Sequence, residues 1–151
     1  MRTSGAATSV LGVLAIVVGG CGGSDPEQAL RSRIESAVVA AESRDTGFFR
    51  DLIAPGFQDQ RGNDRQSLLN MLRGQFLINQ QVEVISRIQS ITILGDDAAE
   101  TVIAAGLVGR PGKALALGSI NADLYRIRLE WANNGDDWQV IGAHWSHPGG
   151  N

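Results

Sequence analysis

Long β-strands in the second half of the sequence are the feature that most restricts the fold. Segment 82–94 is rich in β-branched residues and contains neither Gly nor Pro, which is typical of a long strand. From Tyr125 to Trp131 apolar and charged residues alternate, which indicates a strand with one buried face. Turn-forming residues at 95–97 and 133–137 fit hairpin connections. The predicted strands, in chain order, are 82–94, 99–108, 125–131 and 138–145.

The apolar positions of the first strand change parity along its length. Val82 and Val84 have one parity, whereas Ile85, Ile91 and Ile93 have the other. A β-bulge or bend near Val84 would explain this change. The glycines and the proline of segment 109–112 are predicted to end the second strand.

The first half of the chain predicts helices. Ser24 or Asp25 can cap a first helix that has Pro26 in its first turn and Glu27 in a capping box. Val39 lies off the apolar stripe of this helix, which indicates that more than one face is covered. The stripe itself consists of Leu30, Ile34, Ala37, Val38 and Ala41.

Two shorter helices complete the predicted elements. A helix around 48–53 should end at 55–56, where Pro and Gly follow each other, and a short strand should follow at 57–60. Asn63 or Asp64 can cap the third helix. Helices that precede a succession of antiparallel strands indicate the α+β class. The apolar face of the third helix carries Leu68, Leu69, Leu72 and Phe76.

The first twenty residues have the pattern of an export signal. Their apolar run, residues 10–18, is much shorter than the roughly 20 residues that span a bilayer. The sequence Val18-Gly19-Gly20-Cys21 at its end resembles the bacterial lipobox, which implies cleavage before Cys21 and acylation of that cysteine. An ordinary secretory signal followed by a free cysteine is the alternative, but the glycines around Cys21 cannot bury a thiol.

This resemblance implies a bacterial cell-envelope protein that is lipid-anchored to a membrane through Cys21 and faces outside the cytoplasm. Composition supports one globular domain, since 43% of the 151 residues are hydrophobic and 19% are charged. A net charge of -3 argues against a nucleic-acid partner. The expected organisation is a signal peptide at 1–20, a lipidated tether at 21–25, a folded domain at 26–147 and a tail at 148–151.

The last predicted strand carries a resemblance to a known family. It reads Gly135-Asp-Asp-Trp138-Gln-Val-Ile-Gly-Ala-His144-Trp-Ser146, which is similar to the closing strand of nuclear transport factor 2-like (NTF2-like) domains. These include SnoaL-like and ketosteroid isomerase-like domains, and the order of elements extends the resemblance over residues 26–146. It implies three helices packed in the hollow of a curved antiparallel sheet, a cystatin-like roll with a conical cavity. Because members range from enzymes to binding domains, the fold alone gives no activity.

Tyr125 and His144 are the candidate polar residues of that cavity. If the hairpin places Trp131 opposite Trp138, Tyr125 faces His144 on one side of the sheet, and Gly142 leaves a gap that marks a cavity floor or a bend. A His and a Tyr at the open end of an apolar face can orient a ligand or transfer a proton. The expected ligand-binding residues are Tyr125, His144 and Trp131. The alternative, which the sequence favours, is that both polar residues are rim residues, each bonded to a backbone carbonyl.

Other residues give little support for catalysis or metal binding. Ketosteroid isomerase uses an Asp as its base, whereas the one acidic residue here on the apolar parity of a strand is Asp123, at the strand entrance. His144 and His147 are three residues apart, which suits a helix better than a strand, so no metal site or cofactor is expected.

The expected function is therefore non-catalytic binding of a small apolar ligand or a partner protein at the membrane. One alternative is a cavity enzyme that uses Tyr125 and His144. Another is a structural envelope protein that assembles through the outer face of the sheet, a surface that would also suit a homodimer.

Overall fold

A computed structural model describes residues 25–111, 123–135 and 137–147. The predicted signal peptide, Cys21 and the 148–151 tail lie outside the described residues. No helix within the described part of the chain is long and apolar enough to cross a membrane. The helices are α1 (Pro26–Glu42), α2 (Thr46–Leu52) and α3 (Arg65–Ile78); the strands are β1 (Ile53–Asp59), β2 (Asn79–Ile93), β3 (Ala98–Pro111), β4 (Asp123–Asn133) and β5 (Trp138–Ser146).

The five strands form one sheet in the order β1-β5-β4-β3-β2. The predicted antiparallel succession from β2 to β5 is confirmed. The sheet is mixed rather than wholly antiparallel, because β1 pairs with β5 in parallel. This difference has a topological cause. β1 and β2 lie at opposite edges of the sheet, and α3 carries the chain from one edge to the other, so no hairpin joins β1 to its neighbour β5. The α+β class is confirmed.

Aspartates begin all three helices by capping free backbone N–H groups. The Asp25 carboxylate accepts from the Glu27 N–H at 3.2 Å, and the Asp64 carboxylate accepts from the Ser67 N–H at 2.8 Å. Asp45 caps α2 in the same way. Of the two cap candidates for α3, the structure therefore selects Asp64.

The prediction that Pro55 and Gly56 end α2 is wrong. The helix ends at Leu52, and both residues lie inside β1. Because β1 is an edge strand, a proline without an N–H donor is tolerated there. The register of β1 against β5 also shifts between Ile53 and Gln58, so this stretch is irregular.

Bulges in β2 lie elsewhere than predicted. Val84 pairs regularly with Leu107, and the register shifts instead around Gln80 and Gln89. The extra residue at Gln89 places Ile91 and Ile93 on the same face as Val82 and Val84, whereas Ile85 lies on the other face and is 53% exposed. Segment 109–112 does not end β3 as predicted, since the strand continues to Pro111 by pairing with the start of β2.

A buried core lies between the helices and one face of the sheet, here called the inner face. Trp131 and Trp138 are both buried in it. Val39 is exposed, so the expectation that α1 is covered on a second face is wrong at that position. The core includes Leu30, Ile34, Leu52, Ile53, Phe57, Leu69, Ala99, Ile103, Trp131, Trp138, Val140 and Ala143.

Candidate functional site

Burial along the inner face decreases from one end of the strands to the other. On β3 it falls from fully buried Ala99 to half-buried Ala105, and on β4 from buried Trp131 to half-buried Tyr125. The inner face is therefore buried near the hairpin turns and partly exposed at the far end of these strands. We call this the open end of the hollow, and its residues are Ala105, Tyr125, Ile127, Trp145 and His147.

The predicted register of β4 and β5 is wrong. Trp138 pairs with Asn133 rather than with Trp131, and an extra residue, Ile141, shifts the register again. The shift of two residues leaves each side chain on the face of the sheet that was predicted for it. The one-residue bulge moves the side chains that follow it to the opposite face. As a result Trp145 lies on the inner face, opposite Ile127.

His144 consequently lies on the outer face of the sheet, opposite Arg128. Its side chain is 54% exposed, and its Nε2 atom is 3.9 Å from Glu130 Oε1. The predicted pairing of His144 with Tyr125 across the hollow is therefore wrong. Tyr125 lies on the inner face, and the bulge at Ile141 separates the two side chains onto opposite faces.

Gly142 also has a different role from the one predicted. A Cβ atom at this position would lie 2.8 Å from Glu130 Oε2, so the glycine leaves room for the Glu130 side chain on the outer face. It does not form the floor of the hollow. The distance is short enough that any side chain at Gly142 would displace the Glu130 carboxylate, which lies beside His144.

The aromatic partner of Tyr125 is His147. Their ring centroids are 4.4 Å apart, with an angle of 42° between the planes. The sequence signal for this pair is weak, because His147 shares the parity of Trp145 and reaches the inner face only as a consequence of the bulge. Tyr125 and His147 thus bring one hydroxyl and one imidazole to the otherwise apolar open end.

The side chain of Gln60, the residue that follows β1, positions the end of β5. Its side-chain amide donates to the Trp145 carbonyl oxygen at 2.7 Å and accepts from the Trp145 N–H at 2.7 Å. The Gln60 backbone N–H also donates to the Ala143 carbonyl oxygen at 3.1 Å. The side chain therefore continues the pairing of β1 with β5 beyond Asp59 and holds Trp145 at the open end. No pattern in the sequence pointed to this residue.

Asp59 is a buried carboxylate that the structure uses for a turn. It accepts hydrogen bonds from the Arg61 N–H at 2.7 Å, the Asn63 N–H at 2.9 Å and Asn63 Nδ2 at 2.7 Å. Burial acts to raise the pKa of Asp59, but the hydrogen bonds from Asn63 and Arg61, with the nearby Arg61 charge, hold its pKa below the ordinary value. A carboxylate that is ionised and fully bonded in this way is a poor general base.

Trp131, the third predicted ligand-binding residue, lies at the filled end of the hollow. It is 1% exposed, and its Nε1–H donates to Thr101 Oγ1 at 3.0 Å. Its polar group is thus already satisfied inside the core. Within the described residues, no group of three His, Cys, Asp or Glu side chains is placed to hold a metal ion.

The geometry defines a class of α+β rolls in which three helices cover the inner face of a curved sheet. Comparison with solved structures identifies this arrangement as the NTF2-like, cystatin-like fold. An NTF2-like protein of unknown function from Silicibacter pomeroyi has a TM-score of 0.62 at 12% identity, over 81% of this chain and 95% of that one. A Streptomyces avermitilis protein of the NTF2-like family, provisionally named a dehydratase, has a TM-score of 0.67 at 13% identity, over 82% and 97%.

A third structure extends beyond the shared fold. Bd1075 from Bdellovibrio bacteriovorus has a TM-score of 0.67 at 16% identity, over 80% of this chain but only 41% of Bd1075. No model of a known family and no curated sequence matches this chain. At these identities the similarity establishes the fold, and the function has to be argued from the site.

Proposed function

We propose that this protein is an exported bacterial lipoprotein whose domain binds a small apolar ligand in the open end of the hollow. The observation that supports this proposal is the loss of burial along the inner face, which leaves Ala105, Ile127 and Trp145 half-buried. Ligand sites are mostly apolar concave surfaces with a few polar groups that orient the ligand. Here Tyr125 and His147 are those polar groups.

The positions of the described carboxylates favour binding without catalysis. The strands β3, β4 and β5 present no Asp or Glu on the inner face among the side chains that the structure describes. Asp59 is buried, but its oxygens are occupied by Asn63 and Arg61. Among the described side chains of these three strands, a ligand in the open end would therefore meet no acidic group able to take a proton from carbon.

A cavity enzyme is the second candidate, and the Tyr125–His147 pair favours it. A phenol hydroxyl beside an imidazole can donate and accept a proton at a bound ligand. Mass spectrometry of the compound that copurifies with the protein separates the two candidates. An unchanged compound after prolonged incubation supports binding. Conversion of the compound would support catalysis if the Tyr125→Phe variant still binds the compound but no longer converts it.

The binding proposal is tested by filling the open end. Ala105→Phe adds a ring to the inner face of β3, whereas Ala104→Phe adds the same ring to the outer face of the same strand. Titration with the apolar fluorescent probe anilinonaphthalene sulfonate should show at least a several-fold loss of affinity for Ala105→Phe only. Equal effects of the two variants would contradict the proposal.

The membrane anchor is proposed from the lipobox-like sequence that ends at Cys21. Each buried methylene contributes roughly 0.8 kcal/mol, so two or three acyl chains would hold the protein at the membrane. Cys21→Ala should yield an unprocessed precursor or a protein in the soluble fraction. Unaltered membrane fractionation of this variant would contradict the anchor.

We also propose that a second copy of the chain packs against the outer face of the sheet. Glu100 and Glu130 are neighbours in one row, and Arg87, Arg126 and Arg128 occupy the rows that follow. Two copies related by a two-fold axis across the strands would place each acidic row against the arginines of the other copy. Sedimentation velocity should then show a dimer that dissociates on Glu100→Lys combined with Glu130→Lys. A monomeric parent protein would contradict this arrangement.

A further inference from the structure

We propose that the turn between β2 and β3 contacts the membrane surface through Ile93 and Leu94. The inference rests on the proposed lipid anchor at Cys21 and adds to it an orientation of the folded domain. The surface that Ile93 and Leu94 contact would be a lipid bilayer with neutral head groups.

Two contacts place the start of α1 at the same end of the sheet as this turn. The Asn133 N–H donates to the Asp97 carbonyl oxygen at 2.8 Å, so the β2–β3 and β4–β5 turns are neighbours. Arg33 Nη2 is 2.8 Å from Asp137 Oδ2, which joins the first half of α1 to the second of these turns.

The other end of α1 lies at the opposite end of β2. Glu42 Oε1 accepts from the Val84 N–H at 3.2 Å, ten residues before Leu94 on the same strand. α1 therefore runs antiparallel to β2, and Pro26 begins the helix at the end of the sheet that carries the β2–β3 turn.

The distance from Cys21 to this end of the domain is limited by the length of the chain. Five residue steps separate Cys21 from Pro26, and even a fully extended chain would span at most about 18 Å over that interval. An acylated Cys21 would thus hold the turn end of the domain close to the bilayer, whatever the conformation of the tether. The end of the domain at which β2 begins would face away from the lipid.

The turn presents apolar surface to that bilayer. Leu94 is 65% exposed and Ile93 is 40% exposed. The Leu94 N–H donates to the Ala98 carbonyl oxygen at 2.9 Å, so the backbone N–H at this position is already satisfied. Single exposed leucines are common on protein surfaces, so Leu94 indicates a membrane contact only in combination with the short tether.

Carboxylates near the turn decide which lipids it would contact. Asp96 and Asp97 lie in the turn, and Asp25 and Glu27 lie at the start of α1. These charges would be repelled by anionic head groups and tolerated by zwitterionic ones. We therefore expect shallow insertion of Ile93 and Leu94 into a neutral surface.

The test uses the full acylated protein in phosphatidylcholine vesicles. Cys21 is the one cysteine of the sequence, so after its acylation Leu94→Cys introduces a unique thiol for an environment-sensitive fluorophore. The matched control is Leu77→Cys, because Leu77 is 84% exposed and lies at the end of α3, where β2 begins. Quenching by spin-labelled lipid reports contact of each position with the bilayer.

Several-fold stronger quenching at position 94 than at position 77, reduced when phosphatidylglycerol is added, would support the proposal. Equal quenching, or stronger quenching at position 77, in a protein that floats with the vesicles would overturn the orientation and leave the anchor intact. Failure of the processed protein to float would overturn the anchor, and the orientation with it.

Discussion

The indole N–H of Trp131 donates a 3.0 Å hydrogen bond to the hydroxyl of Thr101 at the filled end of the hollow. Trp131 is 1% exposed and Thr101 is 0% exposed, so neither group can reach water. The two side chains lie on neighbouring strands, where Trp131 pairs with Ala99 and Thr101 pairs with Leu129. This bond lets the indole of Trp131 be buried without an unsatisfied donor.

Thr101→Val should destabilise the protein by about 1–3 kcal/mol, because it preserves the shape of the side chain but removes the acceptor of a buried N–H. Urea denaturation followed by tryptophan fluorescence measures the change. Thr92→Val is the control, since Thr92 is an exposed threonine on the outer face of β2. Equal stability of the two variants would show that the Trp131 bond contributes nothing measurable.

Signals confined to a few neighbouring residues predicted most of the elements. Asp25 and Asp64 cap helices because their carboxylates reach N–H groups two or three residues away, which requires no knowledge of the rest of the fold. The alternation in β4 predicted which of its side chains face the core for the same reason. Pro55 misled the prediction because an edge strand accepts a proline that a helix interior would not.

The candidate site could not be predicted from such signals, because it depends on register. Gln89 and Ile141 are ordinary strand residues, yet each is the extra residue of a bulge. Their positions follow from how two whole strands twist together, and the sequence pattern of one strand does not contain that information. The bulge at Ile141 moved His144 to the outer face and brought His147 to Tyr125.

Asp59→Asn should lower stability at neutral pH by about 1–3 kcal/mol. Its amide oxygen can replace Oδ1 as the acceptor for the Arg61 and Asn63 backbone N–H groups, but its amide nitrogen at the Oδ2 position would face the Asn63 Nδ2 donor without an acceptor between them. Because the folded-state pKa of Asp59 is lowered, its contribution is complete above the unfolded-state pKa and is lost as the pH falls through the folded-state pKa. The stability difference between parent and variant should therefore shrink below about pH 4.

Chemical denaturation at a series of pH values measures this difference. Asp96→Asn removes one negative charge from the exposed β2–β3 turn and serves as the control. If the gap between the parent and Asp59→Asn stays constant down to the lowest pH, the hydrogen bonds to the ionised carboxylate are not the cause.

Gln60→Ala should loosen the end of β5 without unfolding the domain. The variant loses both hydrogen bonds to the Trp145 backbone, while the core residues of β5, Val140 and Ala143, remain buried. Amide hydrogen exchange at Trp145 should accelerate several-fold. Gln58→Ala, an exposed position on β1, should leave that rate unchanged. An unchanged rate in Gln60→Ala would mean that the strand end is held by other contacts.

Tyr125 offers a direct test of which histidine belongs to the open end, because it is the single tyrosine of the sequence. Its ring centroid lies 4.4 Å from that of His147, so the imidazole should shift the tyrosine ring signals in a spectrum of tyrosine-labelled protein. His147→Ala should move these signals, whereas His144→Ala should not, since His144 lies on the outer face beside Glu130. The same pair of variants should differ in probe binding, with reduced affinity for His147→Ala alone. A tyrosine spectrum that responds to His144→Ala and not to His147→Ala would restore the register without a bulge and place the polar pair elsewhere.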